Sequence, residues 1–191
     1  MSNLKNVLLA IGFFAIALSA NASLLIEPHL GYNVSGGQAS FSNAKYDYSG
    51  AQYGARLGAQ FLGVMGGFDY THSTYTLDKT AVGSSKVSAD QKQDDLGIFV
   101  GYNAPILLRA WFGYYFSSKR TQTETGSFGA NGDWYKGTGT ELGVGFTPLP
   151  LVSLNIMYRM FSYDKQNSGT LSTKYEPKEI VLGVSVPFTL L

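Results

Sequence analysis

The sequence predicts an all-β chain, an eight-stranded antiparallel up-and-down barrel that crosses a membrane on its strands. Three observations predict it. Eight segments alternate apolar and polar residues with a period of two. The connections between them alternate between short and long. The face opposite the apolar one is rich in glycine and carries a few charges, where a water-facing sheet would carry Lys, Glu and Thr.

Composition sets the bounds. At 191 residues and a net charge of +1, the chain is one domain's worth and not a nucleic-acid binder, since 14 Lys and Arg are too few and too scattered to track phosphates. Cysteine is absent, which excludes disulfides, thiolate metal sites and a thiol nucleophile. The two histidines, His29 and His72, are too few for a His-rich metal site, so neither metal nor cofactor is expected.

The first 22 residues read as a secretory signal peptide. Lys5 precedes an apolar run from Val7 to Leu18, and Ala20-Asn21-Ala22 is a small-x-small cleavage pattern. An apolar core of about 12 residues falls short of the ~20 that a helical span needs. The barrel domain is therefore expected over residues 23–191.

The strands follow in order. "LIEPHLGYNV" sets Ile26, Pro28, Leu30, Tyr32 and Val34 against Glu27, His29, Gly31 and Asn33. "AQYGARLGAQF" sets Tyr53, Ala55, Leu57, Ala59 and Phe61 against Gln52, Gly54, Arg56, Gly58 and Gln60. The third starts at Val64 and opposes Phe68 and Tyr70 to Gly67, Asp69 and Thr71. The fourth opposes Leu96, Ile98, Val100 and Tyr102 to Asp95, Gly97, Phe99 and Gly101. In the fifth, Leu108, Ala110, Phe112, Tyr114 and Phe116 oppose Arg109, Trp111, Gly113 and Tyr115. The sixth opposes Thr140, Leu142, Val144 and Phe146 to Gly139, Glu141, Gly143 and Gly145. The seventh opposes Val152, Leu154, Ile156, Tyr158 and Met160 to Ser153, Asn155, Met157, Arg159 and Phe161. The eighth, "KEIVLGVSVPFTLL", opposes Ile180, Leu182, Val184, Val186 and Phe188 to Glu179, Val181, Gly183, Ser185 and Pro187.

Tight turns are expected at Leu62-Gly63, Asn103-Ala104-Pro105 and around residues 147–150. Long polar loops are expected at about 35–50, 76–93, 118–136 and 162–177. Short turns at one end, long loops at the other and an even strand number describe an outer-membrane barrel. A soluble barrel or sandwich would use the apolar face as its core and leave the glycine-rich face to water. Small residues and compensating charges suit the crowded lumen of a narrow barrel better. The greasy face then meets hydrocarbon, and closure pairs every backbone group within it.

Aromatic residues gather near the ends of the apolar face, as an interfacial girdle should: Tyr32, Tyr53, Tyr70, Tyr114 and Tyr158 toward the loops, and Phe61, Tyr102, Phe146 and Phe188 toward the turns. Counting residues up from the turns brings three cross-strand ion pairs together in the lumen: Arg56 with Asp69, Arg109 with Glu141, and Arg159 with Glu179. Glu27 and Asp95 are left over, and His29 is read as a hydrogen-bonded filler beside Glu27. An unpaired buried charge costs several kcal/mol, which favours pairing. Lys119, Arg120, Trp134, Tyr135 and Lys136 fall in the third long loop, as a surface that meets lipid headgroups or an extracellular ligand.

With its leader, its "IEPHLGYN" opening, its hairpin rhythm and its last strand, the chain resembles the small eight-stranded outer-membrane barrels of the OmpA/OmpX/OmpW-like group. The resemblance implies a bacterial outer-membrane protein with both termini in the periplasm. It also implies partners: outer-membrane lipid and lipopolysaccharide, and the barrel-assembly machinery, which reads the last strand. Phe188 fits that signal, but Thr189-Leu190-Leu191 follow it. Three functions are weighed: a structural or surface-interaction barrel with a charge-plugged lumen, a small channel or conduit for hydrophobic solutes, and a lipid-modifying enzyme. The enzyme is disfavoured. His72 and Thr74 in "THST" resemble the His-x-Ser element of lipid A deacylase barrels, but no acidic partner is identifiable on that face, and no catalytic residue is assigned.

Overall fold

The computed structural model describes residues 22–38, 44–81, 86–124, 130–149, 151–167 and 169–190. Apart from Ala22, the expected leader lies outside the described residues. Ten strands form one antiparallel sheet: β1 (Ser23–Gln38), β2 (Ala44–Phe61), β3 (Val64–Ala81), β4 (Val87–Asn103), β5 (Leu108–Gln122), β6 (Trp134–Leu149), β7 (Val152–Gln166), β8 (Gly169–Tyr175), β9 (Lys178–Ser185) and β10 (Phe188–Leu190). Strands β1 to β7 pair in sequence order, and β9 closes the ring by pairing with both β7 and β1. The last stave of the eight is thus built in pieces. β8 continues the hairpin with β7, and β10 continues along β1.

The last stave was expected as one stretch over 178–191; it is broken at Val186-Pro187. Pro187 has no N–H to give a ladder, and the Val186 amide bonds the Pro28 carbonyl at 3.0 Å instead. The turn between β2 and β3 lies where the sequence places it. Leu62 (φ 49°) and Gly63 (φ 84°) are both left-handed, as the two central residues of a twist-matched hairpin must be.

The long loops begin later than expected, because the strands run on past them. β3 and β4 stay in register from Val64↔Tyr102 to Lys79↔Val87. Along this stretch the inward face still alternates, with Ser73, Tyr75 and Leu77 buried, but the outward residues become His72, Thr74, Thr76 and Asp78. Both faces are then partly polar, and the period-two hydropathy signal disappears while the hydrogen-bonded ladder continues.

Outside, the belt is apolar and exposed: Val100, Leu142, Val144 and Ile156 each show more than half their surface. A contiguous apolar band of this size is a lipid-facing surface. Tyr53 to Phe61 spans it on β2. Eight steps of ~3.3 Å at a tilt of about 40° give a height of roughly 20 Å, near the ~25 Å of such belts once ring reach is added. The packed interior is the lumen.

Candidate functional site

The lumen owes its contents to strand alternation and one bulge. Along β5, Arg109, Trp111, Gly113 and Tyr115 point inward, and continued alternation would send Arg120 outward. The register instead slips at Phe116-Ser117: Tyr115 pairs with Gly139, and the next pair is Ser118 with Gly137. A bulge adds one residue and reverses the phase beyond it. Ser118, Arg120 and Gln122 are therefore buried, and Arg120 is only 1% exposed. This corrects the loop assignment. Lys119, Trp134 and Lys136 lie on the outside of strands, while Arg120 lies in the lumen and Tyr135 packs against its aromatic cluster.

Near mid-height Arg56 is the hub. Its Nε donates to Asp69 Oδ2 at 3.0 Å, its Nη2 to Glu141 Oε1 at 2.8 Å and its Nη1 to Glu27 Oε1 at 3.4 Å. The guanidinium also lies 4.3 Å over the Trp111 ring. Arg109 donates to Glu27 Oε2 at 2.6 Å, so Glu27, unassigned from the sequence, is its partner in place of the expected Glu141. Glu141 accepts from Trp111 Nε1 at 2.6 Å and from the Tyr115 hydroxyl at 2.9 Å. His29 Nε2 stands 3.3 Å from Asp69 Oδ1.

Toward the loops a second network forms around Arg159 and Arg120. Arg159 Nη2 donates to Asp95, the other acid unassigned from the sequence, and its Nη1 to Gln52 Oε1 at 2.7 Å. Glu179, its expected partner, is 3.9 Å from Arg159 and closer to Arg120, whose Nη2 donates to it at 2.6 Å. Tyr75 donates to the other Glu179 oxygen at 2.9 Å. Arg120 Nε donates to Gln93 Oε1 at 2.7 Å, and its guanidinium is ringed by Tyr48, Tyr75, Tyr163 and Tyr175.

The counting of heights fails for Arg109 and Glu141 because strands in a barrel are staggered, whereas Arg159 and Glu179 do meet, each with a shorter bond elsewhere. Residues level along the ladder are not level along the barrel axis. Arg56 is a direct ladder partner of both Glu27 and Asp69 and meets both through its side chain. Arg159 is likewise a ladder partner of Glu141 and Glu179 and lies 3.6 and 3.9 Å from them.

Toward the turns, Leu25, Met65, Phe99, Trp111, Met157 and Val181 form an apolar layer inside the ring. Gly143 faces the Trp111 indole, and a Cβ there would run into the ring. The inward aromatics are thus packed on one another rather than lining an open path. The girdle residues Tyr32, Tyr53, Tyr70, Tyr114, Tyr158, Phe61, Tyr102, Phe146 and Phe188 all sit exposed on the outer face.

The expectation that His72 lacks an acidic partner is overturned. Asp94 lies directly opposite on β4, with Nδ1–Oδ1 at 2.8 Å, and the Tyr70 hydroxyl donates to the same oxygen at 2.9 Å. Thr74 Oγ1 donates to the Ala51 carbonyl at 3.4 Å, away from His72. The cluster is polar and lies just above the girdle, without an activated hydroxyl. Among the described residues no group of acids and histidines could hold a metal ion.

The geometry is that of an outer-membrane type of barrel, with lipid-facing aromatics outside and buried ionic networks within. Solved structures bear out the fold. The chain is similar to the crystal structure of Neisserial surface protein A, with a TM-score of 0.54, 15% identity, and coverage of 86% of this chain and 97% of that one. It is also similar to the outer membrane protein OprG from Pseudomonas aeruginosa, with a TM-score of 0.52, 14% identity, and coverage of 87% and 96%. No family model and no curated protein matches the sequence.

Proposed function

We infer that the chain is an integral outer-membrane protein with its long loops outward, acting as a structural or surface-interaction barrel with a lumen closed to solutes. One observation carries this. Four guanidiniums (Arg56, Arg109, Arg120 and Arg159) and five carboxylates (Glu27, Asp69, Asp95, Glu141 and Glu179) are all at most 3% exposed, and each lies against a group of opposite sign. A path for water or ions would have to break several of these contacts at once. The resemblance of the fold to known outer-membrane barrels supports the location, and the exposed apolar belt supports membrane insertion. Partners beyond lipid are proposed at the loop end, and no catalytic role is assigned.

The test is liposome swelling with sugars of increasing size after reconstitution of the full barrel. A plugged barrel leaves the swelling rate at that of empty liposomes. Swelling that depends on protein dose and solute size would make the chain a channel.

A further inference from the structure

Above the girdle the outward face of one sector changes character. Lys119 on β5 pairs directly with Lys136 on β6, which pairs directly with Lys165 on β7. All three are exposed. Directly opposite residues on a sheet have Cβ atoms about 5 Å apart, and like charges there repel. The Asp94 carboxylate opposite Lys119 offsets part of that repulsion, and Lys136 and Lys165 remain a like-charged pair until an anion joins them. Among the described residues no ion pair holds any of the three. Lys136 Nζ lies 4.7 Å over the Trp134 ring, and Asp94, opposite Lys119, is already engaged by His72 and Tyr70.

A second feature lies immediately below. The outward residues of β6 shrink from Leu142 to Thr140 and Thr138, leaving a groove of about 270 Å³. Tyr114 and Met160 wall it, Thr138, Thr140 and Ser162 line it with hydroxyls, and Lys178 stands at its side with Glu176. Ladder pairing fixes the order: Thr140 opposite Met160, Thr138 opposite Ser162, then Lys136 opposite Lys165. A cationic row thus sits above a hydroxyl-lined dent that opens onto the lipid-facing belt.

We propose that this sector of β5, β6 and β7 holds the phosphorylated headgroup of an outer-leaflet glycolipid, with its phosphates on Lys119, Lys136 and Lys165 and its sugar and first chain atoms in the groove. Charge complementarity selects an anion, the row's length selects a multivalent one, and continuity with the belt selects one with acyl chains. The assignment rests on the orientation proposed above, with the loops toward the outer leaflet.

The experiment uses the refolded barrel in symmetric phosphatidylcholine nanodiscs doped with bisphosphorylated lipid A, with bound lipid counted by native mass spectrometry after detergent release. Lys136→Gln/Lys165→Gln is compared with a charge-matched control on another sector, Lys79→Gln/Lys86→Gln. The expected result is about tenfold or greater weakening for the first pair, little change for the control, and no discrimination when the lipid A is dephosphorylated. Inorganic phosphate should not compete, since it lacks chains for the groove. Equal weakening by both pairs, equal retention of the dephosphorylated lipid, or no retention by wild type would overturn the site. Because the disc is symmetric, these outcomes do not depend on which way the barrel inserts, and failure would leave the plugged-lumen account standing.

Discussion

Replacing Arg56 by Met keeps an unbranched side-chain stem but removes the guanidinium that lies over Trp111, and with it the charge. Three carboxylates then lose contacts of 2.8, 3.0 and 3.4 Å. They are not equally harmed. Glu27 keeps Arg109 at 2.6 Å, and Glu141 keeps the indole and the Tyr115 hydroxyl. Asp69 is left with His29 at 3.3 Å and two hydroxyls near 3.5 Å. Removing one partner of a buried pair costs about 3–5 kcal/mol, chiefly from the charge left behind. The expected loss is therefore about 3–5 kcal/mol, and most of it should depend on Asp69. Adding Asp69→Asn should recover about 1–2 kcal/mol of the deficit, because the stranded charge is removed. Urea unfolding in lipid vesicles, followed by the mobility difference between folded and heated protein on gels, measures both numbers. A loss under about 1 kcal/mol, or a double variant as unstable as the sum of the singles, would refute the hub.

Other consequences are independent of that one. The chain lacks cysteine, so single-cysteine variants report side-chain direction: Lys119→Cys should react quickly with a water-soluble maleimide and Arg120→Cys at least tenfold more slowly, as the bulge requires. Gly143→Ala should cost about 1–3 kcal/mol in the same urea assay, since its methyl group meets the Trp111 indole. At the loop end of β3, the Lys86 ammonium at 2.7 Å and the Ser88 hydroxyl at 2.6 Å hold the Asp78 carboxyl below the usual carboxylate range. Its contribution is thus present above the ordinary Asp range and lost as pH falls through the lowered value. NMR titration should show that Lys86→Gln moves the midpoint upward.

Much of the fold was legible because the lipid-facing half of each strand obeys a strict period of two. From Tyr53 to Phe61 or Leu96 to Tyr102 the outward residues are apolar and the inward ones, Phe99 apart, small or polar, and each is on its expected face. Legibility ended where the belt ends. Above Tyr70 and Leu96 both faces carry polar residues, so continuing strands read as loops. Most of the lumen's members were readable one residue at a time, but of their partners only those facing each other across one ladder, such as Arg56 and Asp69. Pairing depends on stagger and on the reach of arginine, which brought Glu27 to Arg109 and Asp95 to Arg159 across non-neighbouring staves. Arg120 was misplaced by a single extra residue at Phe116-Ser117. No local signature marks that bulge, although a buried Arg ringed by tyrosines has its tyrosines, Tyr48, Tyr75, Tyr163 and Tyr175, at regular inward spacing.

The central claim is that the ionic networks close the lumen, and single-channel recording in planar bilayers tests it most directly. Wild type and Arg159→Ala are recorded side by side, since Arg159 joins the two networks through Asp95, Glu141 and Glu179. The account predicts an electrically silent wild type and a variant that admits small ions in brief openings. Steady conductance from the wild type would contradict it and make the lumen a pore.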